Sequence, residues 1–224
     1  GQFNHPQGIG IDGPGNVYVA DTSNHKIQKF NAKGEFISQW GSQGTGNGAF
    51  SSPSGIAVST TNILVADSGN NRIQRFDASG NSLATIGGTA SGTGNGQFNY
   101  PMAVAVDSNT GNFFVLDNRN YRVQKFDPSG TFLAKWGDSN AIDTWSGGGI
   151  AMDGNGNVYV ADYNNHRIRK LNSSLTPLLS WGSLGGNQGQ FNYPQGVFVD
   201  SSNYVYVADD GNTRIQKFTA DGTF

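Results

Sequence analysis

Short apolar runs of strand length recur along the chain, and each is followed by residues that favour turns. The first group of four runs comprises residues 9–12, 17–21, 26–30 and 36–40. Gly, Asn and Pro between the runs supply the positive or fixed φ that tight turns need. No window shows the 3.6-residue period of an amphipathic helix. The pattern therefore predicts four antiparallel strands joined by three hairpins.

This group of strands occurs five times in the chain, at a spacing of about 47 residues. Its clearest marker is an aspartate that ends the second strand of each copy, at Asp21, Asp67, Asp117, Asp162 and Asp209. We expect a single domain over residues 1–224, with repeat units 1–49, 50–97, 98–144, 145–190 and 191–224. The last unit is incomplete, because it lacks its outer strand.

A single four-stranded meander leaves both of its faces uncovered. Copies stacked radially bury face on face, which is the arrangement of a β-propeller. The first two strands of each unit are the more apolar, whereas third strands such as residues 27–30 and 215–218 alternate apolar and polar side chains. The sequence therefore predicts an all-β propeller of four-stranded blades with half-solvated third strands.

The turn after the second strand carries a recurring signature, Asp-x-x-Asn-x-Lys/Arg-Ile/Val. Its aspartates are those given above, and its asparagines are Asn24, Asn70, Asn120, Asn165 and Asn212. Five copies in register resemble the NHL repeat family over essentially the whole chain. The resemblance implies a propeller, often of six blades, that serves as a ligand-, protein- or RNA-binding platform and sometimes as a lyase.

We interpret the signature as structural. Residues that recur in every unit across one turn are suited to side-chain hydrogen bonds and charge pairs that fix the second strand to the third. Ten of the fourteen basic residues are expected to serve in this way, two in each unit. The first of each pair begins the third strand, as Lys26 does, and the second follows three residues later, as Lys29 does.

Composition excludes several classes of protein. The 14 basic residues are balanced by 16 acidic ones, so nucleic acid is not a favoured partner. The chain has no cysteine for a disulfide or a thiolate site. No apolar run approaches the length of a membrane span. Abundant Gly, Asn, Ser and Gln with few charges is typical of extracellular or cell-surface repeat proteins, which is the location that we expect.

Function is expected where the copies differ, because the scaffold does not dictate those side chains. Two loop positions vary: the residue after the signature asparagine, and the residues on either side of the proline before the first strand. The fourth unit departs from the pattern with a tryptophan beside three glycines. The candidates are His5, Gln7, His25, Tyr100, Met102, Tyr121, Trp145, His166, Tyr193 and Gln195. Such aromatic and amide groups favour a protein, peptide or saccharide partner. The alternative is that these residues form an ordinary ring of solvated loops and bind no ligand.

We assign no catalytic residue, metal site or cofactor. His5, His25 and His166 are the only histidines and Glu35 is the only glutamate, which leaves few acid–base groups. The segment that begins at Asp153 imitates the start of a calcium loop but lacks its later ligands, so we interpret it as a hairpin turn. The expected function is non-enzymatic binding. The alternatives are a channel-metal lyase or hydrolase, and a structural protein that self-associates through the unpaired edge of its terminal blade.

Overall fold

The computed structural model describes residues 2–137 and 147–224. The chain divides into two compact units, residues 1–108 and residues 109–224, and the division falls in the turn after the ninth strand. Apart from short 3-10 turns, the regular structure of the described residues is β-strand. None of their helices is long and apolar enough to cross a membrane.

The first unit contains nine strands. They are β1 (Gly8–Ile11), β2 (Val17–Asp21), β3 (Lys26–Phe30), β4 (Phe36–Trp40), β5 (Pro53–Val58), β6 (Ile63–Asp67), β7 (Arg72–Phe76), β8 (Ser82–Gly87) and β9 (Pro101–Val106).

The second unit contains ten strands within its described residues. They are β10 (Phe113–Asp117), β11 (Arg122–Phe126), β12 (Phe132–Trp136), β13 (Gly147–Met152), β14 (Val158–Asp162), β15 (Arg167–Leu171), β16 (Pro177–Trp181), β17 (Pro194–Val199), β18 (Val205–Asp209) and β19 (Arg214–Phe218).

These strands form five antiparallel sheets in which sequential neighbours pair. Four sheets have four strands, in the orders β1-β2-β3-β4, β5-β6-β7-β8, β12-β11-β10-β9 and β13-β14-β15-β16. The fifth has three, in the order β17-β18-β19. The expected all-β fold of propeller blades is thereby confirmed.

A 3-10 turn joins the second and third strands of every sheet. The five turns are Thr22–Asn24, Ser68–Asn70, Asn118–Asn120, Tyr163–Asn165 and Asp210–Asn212. Each is closed by a residue other than glycine in the left-handed conformation, with φ between 51° and 54°; these are His25, Asn71, Tyr121, His166 and Thr213. The side chain varies at this position, but the backbone conformation does not.

Apolar side chains of adjacent sheets pack into shared cores within each unit. In the first unit, Tyr18 and Ile27 of the first sheet pack with Phe50, Ile56 and Phe76 of the second repeat. In the second unit the fourth and fifth repeats form the same kind of cluster. This packing changes the expectation for the third strands: β19 is half solvated, whereas β7 and β11 are almost entirely buried.

Candidate functional site

The signature aspartate of the second repeat is the centre of a buried hydrogen-bond network. Asp67 has no exposed surface. Its Oδ2 accepts from Arg72 Nε at 2.7 Å, Asn70 Nδ2 at 2.9 Å and Gln74 Nε2 at 3.0 Å. Its Oδ1 accepts from the Ser51 backbone N–H at 2.7 Å. Four donors therefore surround one carboxylate, and the bond from Ser51 fixes the turn to the segment just before β5.

The other repeats build related networks on the same positions. All five signature aspartates have no exposed surface. Each accepts a side-chain hydrogen bond from its signature asparagine, Asn24, Asn70, Asn120, Asn165 or Asn212. The sequence interpretation missed a further member, a glutamine on the third strand. Gln74 Nε2 also donates to the Ala49 carbonyl, and Gln216 Nε2 to the Gln190 carbonyl. Its recurrence two residues after the basic position was the available signal.

Two opposing effects set the pKa of Asp209, the signature aspartate of the fifth repeat. Burial raises the pKa of this carboxyl. Hydrogen bonds from the Asn192 backbone N–H, the Asn212 amide and Arg214 lower it and outweigh burial. The pKa of Asp209 therefore lies below its ordinary value, and the carboxylate is the form that the network stabilises.

In three repeats the second basic residue of the pair binds the next repeat, which the sequence did not predict. Lys29 Nζ donates to the Ala78 carbonyl at 3.1 Å, in the turn between the third and fourth strands of the next repeat. Lys125 and Lys170 reach the equivalent carbonyls of the repeats that follow them, each at 2.8 Å. These lysines connect adjacent repeats. Sequence spacing could not show this, because the acceptor lies about 50 residues away.

Several of the variable loop residues also connect one repeat to the next. His25 Nδ1 accepts from the Ser52 backbone N–H at 3.0 Å, and His166 Nδ1 accepts from the Tyr193 N–H at 3.1 Å. In the second repeat, Asn71 Oδ1 accepts from the next loop in the same way, at 2.9 Å. A neutral imidazole that accepts at Nδ1 carries its proton on Nε2, which remains available as a donor.

In four repeats, the loop residue before the proline that lies at or near the start of the first strand adopts a left-handed conformation. His5, Ser52, Tyr100 and Tyr193 have φ between 49° and 57°. Such a conformation costs roughly 1–3 kcal/mol for a residue other than glycine. Ser52 shows that the loop can be built with a small side chain, so the backbone does not require the tyrosine at position 193.

The second unit gathers three aromatic side chains on these loops. The ring centroids of Tyr163 and Tyr193 lie 4.9 Å apart with an interplanar angle of 31°. The His166 ring lies 4.8 Å from the Tyr193 ring. Tyr193 is 42% exposed. We call Tyr163, His166 and Tyr193 the aromatic cluster.

Two members of the aromatic cluster, His166 and Tyr193, were predicted from the sequence, whereas Tyr163 was not. In the first two repeats the equivalent hydroxyls, on Thr22 and Ser68, donate to the carbonyls of Pro53 and Pro101. Tyr163 instead places its ring against Tyr193. An aromatic residue at a position otherwise held by small polar or acidic residues was the signal that could have identified it.

The remaining candidates of the first unit form hydrogen bonds within their own repeat or to the preceding one. His5 Nδ1 is 2.7 Å from Asn4 Oδ1, and the Gln7 backbone N–H donates to a β2 carbonyl. The Tyr100 N–H makes the bond to Asn71 described above. The Met102 carbonyl accepts from Ser54 Oγ at 2.7 Å.

In the second unit, two further candidates lie outside the aromatic cluster. Tyr121 closes the 3-10 turn of the third repeat. Gln195 lies on β17, where its carbonyl is so close to Gly148 that a Cβ at Gly148 would lie 2.3 Å from the oxygen. Trp145 lies outside the described residues. The rings of two candidates, His166 and Tyr193, are in contact.

The segment that imitates a calcium loop is a turn. Asp153 Oδ1 accepts from the backbone N–H groups of Asn155 and Asn157, and Oδ2 accepts from the Asn157 amide and the Tyr159 hydroxyl. Burial raises the pKa of Tyr159 above its usual range, and the Asp153 charge adds to this. Within residues 2–137 and 147–224, no group of three His, Asp or Glu side chains is placed to hold a metal ion.

Five segments of the chain match the NHL repeat, at residues 3–30, 50–76, 98–126, 148–171 and 191–218. Among curated proteins, the protein brain tumor of Drosophila melanogaster is 38% identical over 58 residues, which are 26% of this chain and 6% of that protein. The B-box type zinc finger protein ncl-1 of Caenorhabditis elegans is 50% identical over 36 residues, which are 16% of this chain and 4% of that protein. The chain therefore spans only a small part of the curated relatives that it matches.

Solved structures share the fold at low sequence identity. A gluconolactonase of Xanthomonas campestris has a TM-score of 0.74 and 17% identity, over 99% of this chain and 75% of that chain. A streptogramin B lyase has a TM-score of 0.69 and 13% identity, over 95% of this chain and 64% of that chain.

Proposed function

The chain belongs to the NHL repeat family, and from that premise we propose that it is a non-enzymatic binding propeller whose loops recognise a protein, a peptide or a saccharide. Family membership supports a binding or scaffold role. The observation that carries the finer proposal is the aromatic cluster of the second unit. An exposed tyrosine is held there in a strained conformation that the loop can adopt with a smaller residue.

The chemistry of the aromatic cluster favours a ligand with apolar faces and polar edges. Two tyrosine rings offer flat apolar surface together with hydroxyl groups. The Nε2–H of His166 adds a directed donor, because its Nδ1 is held by the Tyr193 N–H. Proline and aromatic side chains of a peptide meet these requirements, and so do the C–H faces of a pyranose ring. Such strain often accompanies ligand contact sites.

The proposal is tested by selecting ligands and then removing the rings. Random dodecapeptides on phage and an array of immobilised glycans are the probes. The double variant Tyr163→Ser/Tyr193→Ser should bind the selected ligands at least about tenfold more weakly, since buried aromatic contacts dominate such interfaces. Phe36→Ser is the matched control, because Phe36 is 49% exposed on β4 and outside the loops. Undiminished binding by the double variant would show that the aromatic cluster is not the binding site.

An enzyme of the propeller lyase or hydrolase kind is the alternative function. The fold that the chain shares with a streptogramin B lyase and a gluconolactonase favours it. Elemental analysis of the purified protein tests this alternative, because a stoichiometric transition metal would support a channel-metal enzyme.

A further inference from the structure

The fourth repeat departs from the others at three positions of its third strand and of the turn that follows. Arg169 stands where the other repeats have glutamine, Leu171 where they have phenylalanine, and Leu175 where they have glycine. The equivalent residues are Gln28, Gln74, Gln124 and Gln216, then Phe30, Phe76, Phe126 and Phe218, then Gly34, Gly80, Gly130 and Gly222. Three changes so close together alter the surface that this repeat presents to the third repeat.

In other repeats, the phenylalanine and the glycine at these positions pack against a tryptophan of the preceding repeat. The ring centroids of Trp40 and Phe76 lie 5.8 Å apart. An added Cβ at Gly80 would meet the Trp40 ring at 2.7 Å. The fifth repeat packs against the tryptophan of the fourth in the same way. Phenylalanine and glycine together therefore position the tryptophan at these junctions.

Trp136 of the third repeat meets a different surface on the fourth repeat. Leu175 carries the Cβ that glycine lacks, is 4% exposed and has a φ of +64°. This Cβ excludes the ring position that Trp40 adopts against Gly80. Leu171 is also smaller than the phenylalanine that it replaces. The Trp136 ring lies against the Arg169 guanidinium, whose central carbon is 5.2 Å from the ring centroid.

A pocket of about 240 Å³ lies at this junction, between the third and fourth repeats. Its apolar lining includes Trp136 on β12, the buried Leu171 on β15, and Pro177 and Leu178 on β16. Leu178 is 53% exposed, so the pocket opens to solvent beside β16. A cavity of about 150 Å³ is sufficient to bind benzene. The pocket is therefore large enough for one six-membered ring with a short substituent.

The polar side chains that line the pocket can all donate hydrogen bonds. Arg169 and Lys170 are cations, and the Ser180 hydroxyl is on the same face as Arg169, because these two residues pair between β15 and β16. None of the described lining residues is acidic. Residues 167–181 contain three basic side chains and no acidic one. The equivalent segments of the other repeats each contain an acidic side chain, namely Glu35, Asp77, Asp127 and Asp221. These charges favour an anionic group in the pocket.

We propose that this pocket binds a small carboxylic acid that carries one apolar ring, of the arylalkyl carboxylate class. The ring lies against Trp136, Leu171 and Leu178, and the carboxylate accepts from the Ser180 hydroxyl beside the Arg169 guanidinium. Among the described residues, the pocket shares none with the aromatic cluster. The ligand is therefore additional to the partner proposed above, and the two sites can be tested separately.

Isothermal titration calorimetry with three small probes tests both parts of the proposal. 3-Phenylpropionate has the ring and the charge, 3-phenylpropanamide lacks the charge, and propionate lacks the ring. The wild-type protein should bind 3-phenylpropionate at least about tenfold more tightly than either of the other two, since charge-assisted hydrogen bonds are the stronger ones. No binding of 3-phenylpropionate at millimolar concentration would overturn the proposal, and so would equal binding of the acid and the amide.

A fourth probe distinguishes two sources of the same chemistry. N-Acetylphenylalanine presents a ring and a carboxylate as the C-terminus of a peptide does. Tighter binding of this probe than of 3-phenylpropionate would assign the pocket to a peptide terminus, and weaker binding would assign it to a free acid.

Two substitutions that restore the residues of the other repeats locate the site. Leu171→Phe fills the pocket and should weaken binding of 3-phenylpropionate at least about tenfold. Arg169→Gln should weaken binding of the acid by a similar factor and leave that of the amide unchanged. Glutamine suits the fold, since Gln74 donates to Asp67 from this position in the second repeat. Lys135→Gln is the matched control, because it removes the same charge from β12 at a residue that does not line the pocket.

A second pair of variants applies if Leu171→Phe does not fold. Leu178→Ser removes an apolar wall and should weaken binding of 3-phenylpropionate, whereas Leu83→Ser should not. Leu83 is the control because it occupies the equivalent position on β8 and is 50% exposed. Wild-type affinity in a folded Leu171→Phe variant, or in Leu178→Ser in its place, would overturn the proposal.

Discussion

The buried arginine of the second repeat offers a direct test of what holds the repeats together. Arg72 Nε donates to Asp67, Nη1 donates to the Thr45 carbonyl at 2.7 Å, and Nη2 donates to the Gly46 and Ala49 carbonyls, each at 2.8 Å. Its side chain is 5% exposed. Arg72→Met keeps the aliphatic stem and leaves a buried carboxylate without its cation. Breaking a buried pair in this way costs about 3–5 kcal/mol.

The fifth repeat supplies the matched control for this substitution. Arg214 makes the same set of contacts, to Asp209 and to the carbonyls of Gly186, Asn187 and Gln190. Its side chain is 29% exposed, so water can replace part of what is lost. Arg214→Met should therefore cost only about 1–2 kcal/mol.

Urea unfolding followed by tryptophan fluorescence measures both losses. The corresponding falls in melting temperature are about 6–20 °C for Arg72→Met and about 2–8 °C for Arg214→Met. The double variant Asp67→Asn/Arg72→Met should lose less stability than the sum of its single variants, because the uncompensated charge is gone. If the two arginine variants lose the same stability to within about 0.5 kcal/mol, burial does not decide the strength of these networks.

Three further measurements follow from the structure. Because the pKa of Asp209 is depressed in the folded protein, this carboxylate should contribute fully to the free energy of unfolding above about pH 4, and its contribution should decline as pH falls below that value. Urea midpoints at descending pH measure the decline, and Asp209→Asn should flatten it. Gly80→Ala should lower the melting temperature, since Gly80 has φ +86° and an added Cβ would meet the Trp40 ring at 2.7 Å; a calorimetric scan that matches the wild type would contradict this. His166→Asn should retain wild-type stability, whereas His166→Ala should lose about 1 kcal/mol, because an asparagine already accepts from the next loop in the second repeat; wild-type stability of His166→Ala would show that the bond to Tyr193 is not stabilising.

Local pattern was sufficient to predict the strands. The expected runs 17–21, 26–30 and 36–40 coincide with β2, β3 and β4, and the first run is displaced by one residue. Period-2 alternation and turn residues act within a few positions of one another, so they can be recognised in sequence. The same alternation misled for β7, because carbonyls of Thr45, Gly46 and Ala49 in the preceding link bind its polar side chains Arg72 and Gln74.

Contacts between repeats were not predictable from spacing. Tyr163 and Tyr193 are 30 residues apart, and only the stacking of one repeat on the next brings their rings together. The acceptor of Lys29 was hidden for the same reason. The interpretation of loop positions as unconstrained was incomplete, since the sequence does not reveal that His25 and Asn71 share a left-handed backbone.

The bonds from His25, Asn71 and His166 to the following loop limit how new specificity can arise. Each of these side chains has one end anchored to a neighbouring N–H and another end that the anchor does not use. A replacement that lacks an acceptor alters its own loop and also releases the adjacent one. Diversification of the surface therefore proceeds most easily by exchange between imidazole and carboxamide groups, which change the outward atom while the inward one keeps its partner.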